Sequence, residues 1–381
     1  MSIKKIIKNG FSFLNNIVPK KNLILFNSFP DYSDNALQLY LYIILNRNDI
    51  LKQYNIIWTG NGSDSIPKEV KQSNLIPKKS LKGIYLFLRA KYIFSTHNYF
   101  SGIKSGNGQI QVNLWHGCGY KKLIDPRYHG DYTIATSELY KNIQSEALGI
   151  KKSHVIVSGL PRNDLLNNSS NVLDKLGIDK KKYNSVVIWM PTYRKAKLGH
   201  DGIDGDNKSF GIQSITDSQL NELNTILRLK HMLLIVKPHP MDSISLAKLK
   251  SDYSNIRCIT NTLLKIKEVK LYELISNCDG LLSDYSSVVT DFLILNRPIA
   301  LVFSDMDEYK KSRGFVFKNI QEYLPGPVIS NFDQLIHYFN NYNMLNKEWK
   351  IKREKISDLF EKYKDENNSQ RVCDYFFGKK C

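Results

Sequence analysis

The sequence lacks the features of a membrane-spanning or secreted protein. It has no run of 18 or more uncharged apolar residues, which a transmembrane helix requires. It also has no small-residue cleavage site near the N-terminus, so we expect no secretory signal and a cytoplasmic protein. Its few cysteines are odd in number and have no CxxC spacing, which argues against a disulfide framework and a cysteine zinc site. They are Cys118, Cys258, Cys278, Cys373 and Cys381, and we expect them to be reduced, with Cys258 and Cys278 in the core.

Common nucleotide-binding motifs are also missing. Neither GxxxxGK[ST] nor GxGxxG occurs, which disfavours a Walker-type kinase and a dinucleotide oxidoreductase. No acidic pair of the DxD type follows a predicted strand, so the usual sign of a metal-bridged nucleotide is absent. The sequence predicts no metal ligands and no cofactor, although a dependence on divalent metal stays open. Catalysis would then depend on histidine, arginine, lysine and helix N-termini.

Positive charge is abundant. The chain has 54 Lys and Arg against 36 Asp and Glu, a formal net charge of +18, which attracts polyanions such as nucleic acid, anionic lipid or phosphorylated substrates. The lysines are spread along the chain, and no helix-turn-helix, zinc finger or RNP-like aromatic pattern accompanies them. We therefore expect no nucleic-acid partner.

Residues 1–22 have apolar side chains at near-helical spacing with five lysines among and after them. This pattern predicts a short basic amphipathic helix, which suits an anchor on an anionic membrane surface. A helix packed on the protein's own core fits the pattern equally well, and Gly10 weakens the helix in either case.

From residue 23 the pattern alternates between strand and helix, which predicts parallel sheets covered by helices. The predicted strands of the first series are 23–26, 56–58, 92–94, 111–115, 132–135 and 155–157, with a helix at 35–45. Those of the second series are 185–189, 233–236, 256–259, 280–282 and 299–303. The 381 residues should therefore form two α/β domains, with a linker within 163–183 and a mobile loop at 195–209.

Chemically versatile residues follow these strands, where open α/β sheets bind ligands. Trp115-His116-Gly117 and Lys237-Pro238-His239 each place an imidazole after a strand, one in each half of the chain. Such histidines can act as general bases, or can be ordinary structural histidines. The remaining groups that could bind phosphate are Thr192, Tyr193, Arg194, Arg162 in Gly159-Leu160-Pro161-Arg162-Asn163-Asp164, and Arg313-Gly314.

The stretch Ser283-Asp284-Tyr285-Ser286-Ser287 separates a buried strand from a helix-patterned segment that runs to Leu295. Hydroxyls at a helix start, with unpaired N–H groups and a positive dipole end, suit a phosphate. Asp284 is the predicted helix cap. The alternative is an ordinary N-cap without a ligand.

In this order the motifs resemble the CDP-glycerol glycerophosphotransferase family of teichoic acid and capsule polymerases and primases. The matching segments also include Ser28-Phe29, Asp34-Asn35, Lys121-Lys122-Leu123, Asp291, Leu295-Asn296-Arg297-Pro298, Tyr309, Phe315 and Pro325-Gly326-Pro327. The resemblance implies a GT-B-like fold with two Rossmann-like domains facing a central cleft and a C-terminal helix that crosses back to the first domain. The implied regions are 1–22 as a membrane-surface segment, 23–175 as the acceptor domain, 176–354 as the CDP-glycerol domain, and 355–381 as the returning helix.

The resemblance also implies an activity: transfer of glycerol phosphate from CDP-glycerol to a lipid-linked or glycan acceptor at the cytoplasmic face of the membrane, with peripheral attachment. His116 would deprotonate the acceptor, and His239 would contact the donor pyrophosphate. The implied substrate-binding residues are Gly117, Cys118, Gly119, Tyr120, Arg162, Thr192, Tyr193, Arg194, Lys237, Pro238, Ser286, Ser287, Asp291 and Arg313.

Two positions depart from the family pattern. Cys118-Gly119 replaces the usual Thr-Pro after Trp-His-Gly, and Tyr193 stands where tryptophan is common. The first change leaves the acceptor and the polyol open, so CDP-ribitol or another CDP-polyol is an alternative donor. A sugar-nucleotide glycosyltransferase or epimerase would keep the same fold with a different reaction, and a non-enzymatic membrane or polyanion binder would need no reaction at all.

Overall fold

The computed structural model describes residues 3–60, 66–70, 74–78, 80–97, 100, 103–123, 130–167, 171–191, 215–238, 253–303 and 306–380, with the backbone alone at 3–8, 308 and 312. Contacts divide the chain into two compact units. Unit 1 comprises 1–117, 123–164 and 362–381, and unit 2 comprises 118–122 and 165–361.

Unit 1 contains a parallel sheet whose seven described strands lie in the order β3-β2-β1-β4-β5-β6-β7. The strands are β1 (Lys21–Asn27), β2 (Asn55–Gly60), β3 (Asn74–Pro77), β4 (Ala90–Ser95), β5 (Ile110–Asn113), β6 (Tyr132–Ala135) and β7 (Val155–Val157). The helices are α1 (Ile3–Ile17), α2 (Asp34–Asn46), α3 (Asn48–Gln53), α4 (Leu81–Arg89) and α5 (Glu138–Leu148), and the C-terminal Asn368–Phe377, called α13 below. Strand order reverses between β1 and β4, so a crevice is expected at their carboxyl ends.

Unit 2 contains a second parallel sheet, with six described strands in the order β10-β9-β8-β11-β12-β13. The strands are β8 (Ser185–Met190), β9 (Met232–Val236), β10 (Ile256–Cys258), β11 (Gly280–Ser283), β12 (Ile299–Val302) and β13 (Val328–Ile329). The helices are α6 (Asp217–Leu229), α7 (Asn261–Ile266), α8 (Leu271–Ser276), α9 (Val288–Phe292), α10 (Met306–Ser312), α11 (Phe332–Asn340) and α12 (Tyr342–Phe360). Here the order reverses between β8 and β11.

The predicted α/β class with two parallel sheets is confirmed. Strands β8, β9 and β12 are buried along most of their length, which explains their continuous apolar sequences. The short strands β3 and β13 were not predicted, because β3 has only Leu75 and Ile76 as apolar residues before Pro77 and β13 has two residues in all. The predicted strand 111–115 ends early, at Asn113, because Trp115 has a positive φ of 54° that no strand adopts. Cys278 is a buried thiol as predicted, whereas Cys258 is only half-buried.

The helix predicted at the N-terminus is present as α1, and it both packs and exposes apolar surface. Phe11 and Val18 pack against a core cluster of unit 1, and buried Asn15 donates to the Lys104 carbonyl at 2.9 Å. Phe13 and Ile17 remain 67% and 57% exposed. One face of α1 is therefore packed on unit 1, and its use as a membrane anchor stays a prediction. Across the described residues, we find no helix with the length and apolar character needed to cross a bilayer.

Candidate functional site

His116 stands on a strained loop at the carboxyl edge of the unit 1 sheet. The loop comprises Leu114–Gly117 and is called the His116 loop below. Trp115 has a φ of 54°, costly for a bulky side chain, and Gly117 a φ of 132° that favours glycine. The backbone N–H of Trp115 donates to Asn113 Oδ1 at 2.9 Å, which stabilises this conformation. The imidazole of His116 is exposed at the end of the loop.

Asn35 at the start of α2 fixes the loop from within. Its side-chain Nδ2 donates to the carbonyls of Leu114 at 3.0 Å and Trp115 at 3.1 Å. Its Oδ1 accepts the backbone N–H of Arg162 at 3.1 Å. Since Asn35 is fully buried, losing it would leave these backbone groups without their partner.

Arg162 is the second support of the loop. Its guanidinium is buried, pairs with the Asp34 carboxylate at 2.8 Å and donates to the His116 carbonyl at 3.1 Å. The sequence predicted a phosphate ligand at this position. In unit 1 its Nη1 instead bridges an acidic side chain and the backbone of the histidine.

The motif that contains Arg162 also holds the C-terminal helix α13. The Asp164 carboxylate accepts the backbone N–H groups of Asn368 at 2.8 Å and Ser369 at 3.0 Å, as a helix N-terminus favours. Gly159 has a φ of 75°, and a Cβ there would lie 2.1 Å from Asn368 Oδ1. Burial raises the pKa of Asp164 to about 6 against these hydrogen bonds. The motif thus joins the His116 loop to α13 within unit 1.

The sequence interpretation missed His97, which follows β4 by two residues. Its ring stacks on that of His116, with centroids 4.6 Å apart and planes at 19°. The rule that selected His116, a histidine just after a strand, would have selected His97 as well. His97 follows the predicted strand 92–94 by three residues, the same spacing at which His239 follows the predicted strand 233–236.

In unit 2, the segment Tyr285–Ser287, called the Ser287 turn below, connects β11 to α9. The helix begins only at Val288, with Ser287 as its N-cap, so the prediction that Asp284 caps it is wrong. The Tyr285 ring stacks on Tyr309 at 3.9 Å and on Phe303 at 4.3 Å, and this burial separates Asp284 from the helix. Ser286 and Ser287 are half-buried. With α9 only five residues long, its dipole adds little to an anion site.

The segment Cys118–Lys122, called the strap below, belongs to unit 2 and packs on the Ser287 turn. The Thr290 hydroxyl contacts the Cys118 carbonyl and the Ser287 carbonyl. A Cβ on Gly119 would lie 3.1 Å from Ser287 Cα, so glycine allows this close approach.

The rest of the strap is tied into unit 2 by its backbone and by one buried side chain. The Lys122 N–H donates to the Gly314 carbonyl at 3.0 Å. Tyr120 is fully buried and donates to the Tyr323 carbonyl at 3.1 Å, and its contact with substrate stays a prediction.

Two further predicted ligands, Asp291 and Arg313, differ in their surroundings. The Asp291 carboxylate is buried and accepts the Tyr272 hydroxyl at 2.5 Å, a contact that no local sequence pattern indicates. Arg313 is half-buried at the end of α10, and Gly314 follows with a φ of 75°. Gly314 donates its N–H to the Tyr309 carbonyl at 3.1 Å, so this glycine ends a helix rather than making room for a ligand.

Lys237 follows β9, with its side chain buried and its Nζ donating to the Pro238 carbonyl at 3.1 Å. Burial lowers the pKa of this amine to about 8, and the neighbouring Cys258 thiol opposes the shift. Pro238 is buried beside it. The other predicted residues of this side, Thr192, Tyr193, Arg194 and His239, lie outside the described residues, as does the loop 195–209.

Each unit is a parallel α/β sheet with candidate residues after the carboxyl ends of its strands, and two such units are typical of a GT-B-like class of protein. The solved structure of the wall teichoic acid polymerase TagF has this fold, with a TM-score of 0.74, 23% identity, and coverage of 98% of this chain and 94% of that one. A Staphylococcus aureus MnaA–UDP complex is more distant, with a TM-score of 0.54, 12% identity, and coverage of 94% and 97%.

The chain belongs to the CDP-Glycerol:Poly(glycerophosphate) glycerophosphotransferase family, whose sequence model matches residues 11–378. It is 26% identical to a Staphylococcus aureus teichoic acid glycerol-phosphate transferase, covering 99% of both chains. It is 28% identical to a Bacillus subtilis teichoic acid glycerol-phosphate primase, covering 95% and 93%. The resemblance predicted from the motifs is confirmed, and the membership supports an enzyme that transfers substituted phosphate groups.

Proposed function

We propose that this chain transfers glycerol phosphate from CDP-glycerol to an acceptor hydroxyl and releases CMP, in teichoic acid or capsular polysaccharide synthesis. The observation that carries the proposal is His116, an exposed imidazole on a loop that Asn35 and Arg162 hold from the buried side. The names of the relatives are consistent with it, since glycerol-phosphate transferases and primases match almost the whole chain.

In this proposal His116 is the general base. Its neutral imidazole takes the proton of the acceptor hydroxyl, and the acceptor oxygen forms a bond to the β-phosphorus of CDP-glycerol. The bond from that phosphorus to the bridging oxygen breaks, and CMP leaves with the bond electrons. Phosphoryl transfer needs mainly the positioning of donor and acceptor and the neutralisation of phosphate charge. Cationic side chains and hydroxyls can provide both.

We assign the donor to residues of unit 2 and to the neighbouring segments that the sequence predicted. Lys237 supplies positive charge, while Ser286 and Ser287 supply hydroxyl donors near the phosphates. The further residues of this group are Thr192, Tyr193, Arg194, His239, Asp291 and Arg313. Arg162 is left out of the donor site, because its partners are Asp34 and the His116 carbonyl.

CDP-ribitol is the second candidate donor. The relatives include a Staphylococcus aureus teichoic acid ribitol-phosphate polymerase, 24% identical over 99% of this chain and 66% of its own length. Cys118-Gly119, where the family pattern has Thr-Pro, lies directly after the His116 loop and adds to the reason for testing this donor.

The donor is tested with purified protein and a lipid-linked disaccharide acceptor. Radiolabelled CDP-glycerol, CDP-ribitol and a UDP-sugar are supplied in parallel, and release of CMP or UDP is measured with product length. CMP release from CDP-glycerol alone is the expected result. Release of CMP from CDP-ribitol alone would show that CDP-ribitol and not CDP-glycerol is the donor. Release of UDP alone would show that the protein is a glycosyltransferase or epimerase and not a phosphotransferase. Product length separates addition of one unit from polymerisation.

We further propose that α1 attaches the protein to the anionic cytoplasmic face of the membrane. Residues 1–22 contain five lysines and no acidic residue. Exposed Phe13, Leu14 and Ile17 provide apolar surface beside this charge. A basic apolar surface of this kind binds the interface without crossing it.

Co-sedimentation with vesicles tests this attachment. The double variant Phe13→Ser/Ile17→Ser should bind phosphatidylglycerol vesicles at least about tenfold more weakly, since each buried apolar side chain contributes about 1.5–3 kcal/mol. Leu45→Ser, at an equally exposed position on α2, is the matched control and should bind like the unaltered protein. Equal binding of all three proteins would remove α1 from membrane attachment.

A further inference from the structure

A second histidine lies against the proposed base. His97 follows β4, whose neighbour β5 leads into the His116 loop, and parallel strands bring both segments to the same sheet edge. The imidazoles of His97 and His116 are stacked with centroids 4.6 Å apart and planes at 19°. The indole of Trp115 also contacts His116, with centroids 4.7 Å apart and planes at 31°. The base therefore has two aromatic neighbours.

His97 is itself held in place. Its Nδ1 lies 3.2 Å from Thr96 Oγ1, which already accepts the backbone N–H of Phe29 at 3.1 Å. The Thr96 hydroxyl donates to Nδ1 in the tautomer that carries the His97 proton on Nε2, and accepts from Nδ1 in the other tautomer. The ring of Phe29 meets His97 edge-on at 5.6 Å. These contacts fix the plane that His97 presents to His116.

Burial favours the neutral form of this neighbour. Burial lowers the pKa of His97, Lys78 lowers it further, and Asp34 opposes both. A second imidazolium beside His116 would disfavour proton uptake by like-charge repulsion. A neutral imidazole face does not, and stacking of the two rings favours one orientation of His116.

We propose that His97 is a positioning residue for His116, whose stacked ring holds the base in the orientation that accepts the acceptor proton. This inference rests on the proposed function, because it needs His116 to be the base. His97 is given no contact with substrate. His97 affects the reaction rate only by setting the orientation of the His116 ring.

Three variants separate positioning by His97 from direct proton transfer by His97. His97→Ala removes the ring, and kcat should fall about 10- to 100-fold with the KM for CDP-glycerol within about twofold, as misorientation of a catalytic group predicts. His97→Phe keeps an aromatic face without a titrating group and should recover most of the rate. His116→Gln gives the level expected without the base. Unchanged kcat in His97→Ala would overturn the proposal.

The pattern of recovery is equally decisive. If His97→Phe is as slow as His116→Gln, His97 handles the proton itself and the positioning role is wrong. A pH profile of kcat sharpens this test, since the titrating groups near the pair are Asp34 and Lys78 as well as the two imidazoles. The His97→Phe profile should keep the acidic limb of the unaltered enzyme, because protonation of His116 removes the base in both proteins.

Proton NMR of His116 keeps the test independent of turnover. Its ring resonances, assigned by their loss in His116→Gln, should shift in His97→Ala through loss of the ring current and should partly return in His97→Phe. Resonances that do not move in His97→Ala would show that the rings are not stacked in solution. If the resonances move but no CDP-polyol is consumed, the stack holds and the proposed reaction is the part that fails.

Discussion

The His116 loop follows β5 and the Ser287 turn follows β11, each at the carboxyl edge of its own sheet, but the two segments are held in opposite ways. In unit 1, buried side chains reach the backbone of the loop, with Asn35 and Arg162 bound to its carbonyls. In unit 2, the backbone of the strap packs on the turn, and the Thr290 hydroxyl contacts a carbonyl of each segment. The supports in unit 1 hold the backbone around one exposed side chain, that of His116. The contacts in unit 2 fix the backbone of the Ser287 turn itself.

This difference suits the two tasks that the proposal assigns. A general base needs one imidazole in a defined orientation, which rigid side-chain supports provide. A phosphate site needs several N–H and hydroxyl donors at compatible distances, which depend on the course of the backbone. We therefore expect kcat to fall when polar side chains of unit 1 are removed. We expect donor affinity to fall when volume is added or charge is altered in unit 2.

Loss of the base should produce the largest effect and would test the assignment of unit 1 directly. In His116→Gln we expect kcat to fall about 10²–10⁴-fold, the usual contribution of general base catalysis. CDP-glycerol affinity by calorimetry should stay within about twofold, since the donor is assigned elsewhere. His337→Gln, on the exposed face of α11, is the control and should retain full activity. A normal kcat in His116→Gln would leave the His116 loop without its proposed task.

Removing the support of the loop should have the next largest effect. Asn35→Ala deletes two donors and one acceptor, so we expect kcat to fall about 10- to 100-fold through displacement of the imidazole. Stability should fall as well, since each unsatisfied buried group costs about 1–3 kcal/mol. Asn46→Ala, exposed at the end of the same helix, should change neither quantity. Loss of stability with an unaltered kcat would mean that Asn35 serves folding alone.

The sequence predicted the sheets more completely than the site. Continuous apolar runs such as 185–189 and 233–236 identify buried parallel strands, because both of their faces are covered. Position after a strand also selected His116 and Lys237. These inferences need only local patterns and the rule that ligands bind at the carboxyl ends of strands.

Contacts between distant segments were beyond the reach of such patterns. The bond from Asn35 to the Trp115 carbonyl spans 80 residues, and the Thr290 contact with Cys118 spans 172. Substrate contacts were therefore predicted for Arg162 and Tyr120, although both side chains bind groups within the fold. The start of α2 was predicted within one residue, whereas that of α9 was not, since this helix begins at Val288 with Ser287 and not Asp284 as its N-cap.

Charge in unit 2 gives the third prediction, on donor affinity and pH. Burial lowers the pKa of Lys237 to about 8, so the amine is charged below that pH and neutral above it. The pyrophosphate of the donor is anionic throughout, and binding should weaken about tenfold from about pH 6.5 to about pH 9.5. Calorimetry across this range measures it. Lys237→Arg should bind equally at both ends, and the same slope in that variant would point to another group, such as the Cys258 thiol.

Added volume on the strap gives the smallest and most local test of the comparison. In Gly119→Ala the new methyl would lie 3.1 Å from Ser287 Cα and 3.3 Å from its Cβ, so the Ser287 turn must move by a few tenths of an ångström. Overpacking of this size costs about 1 kcal/mol, which predicts about fivefold weaker CDP-glycerol binding by calorimetry. Gly10→Ala, where nothing lies within 4 Å of the new methyl, is the matched control and should bind normally. Equal donor affinity in both variants would show that the backbone of the Ser287 turn does not shape the donor site. Only the His116 loop would then have a functional role supported by its contacts.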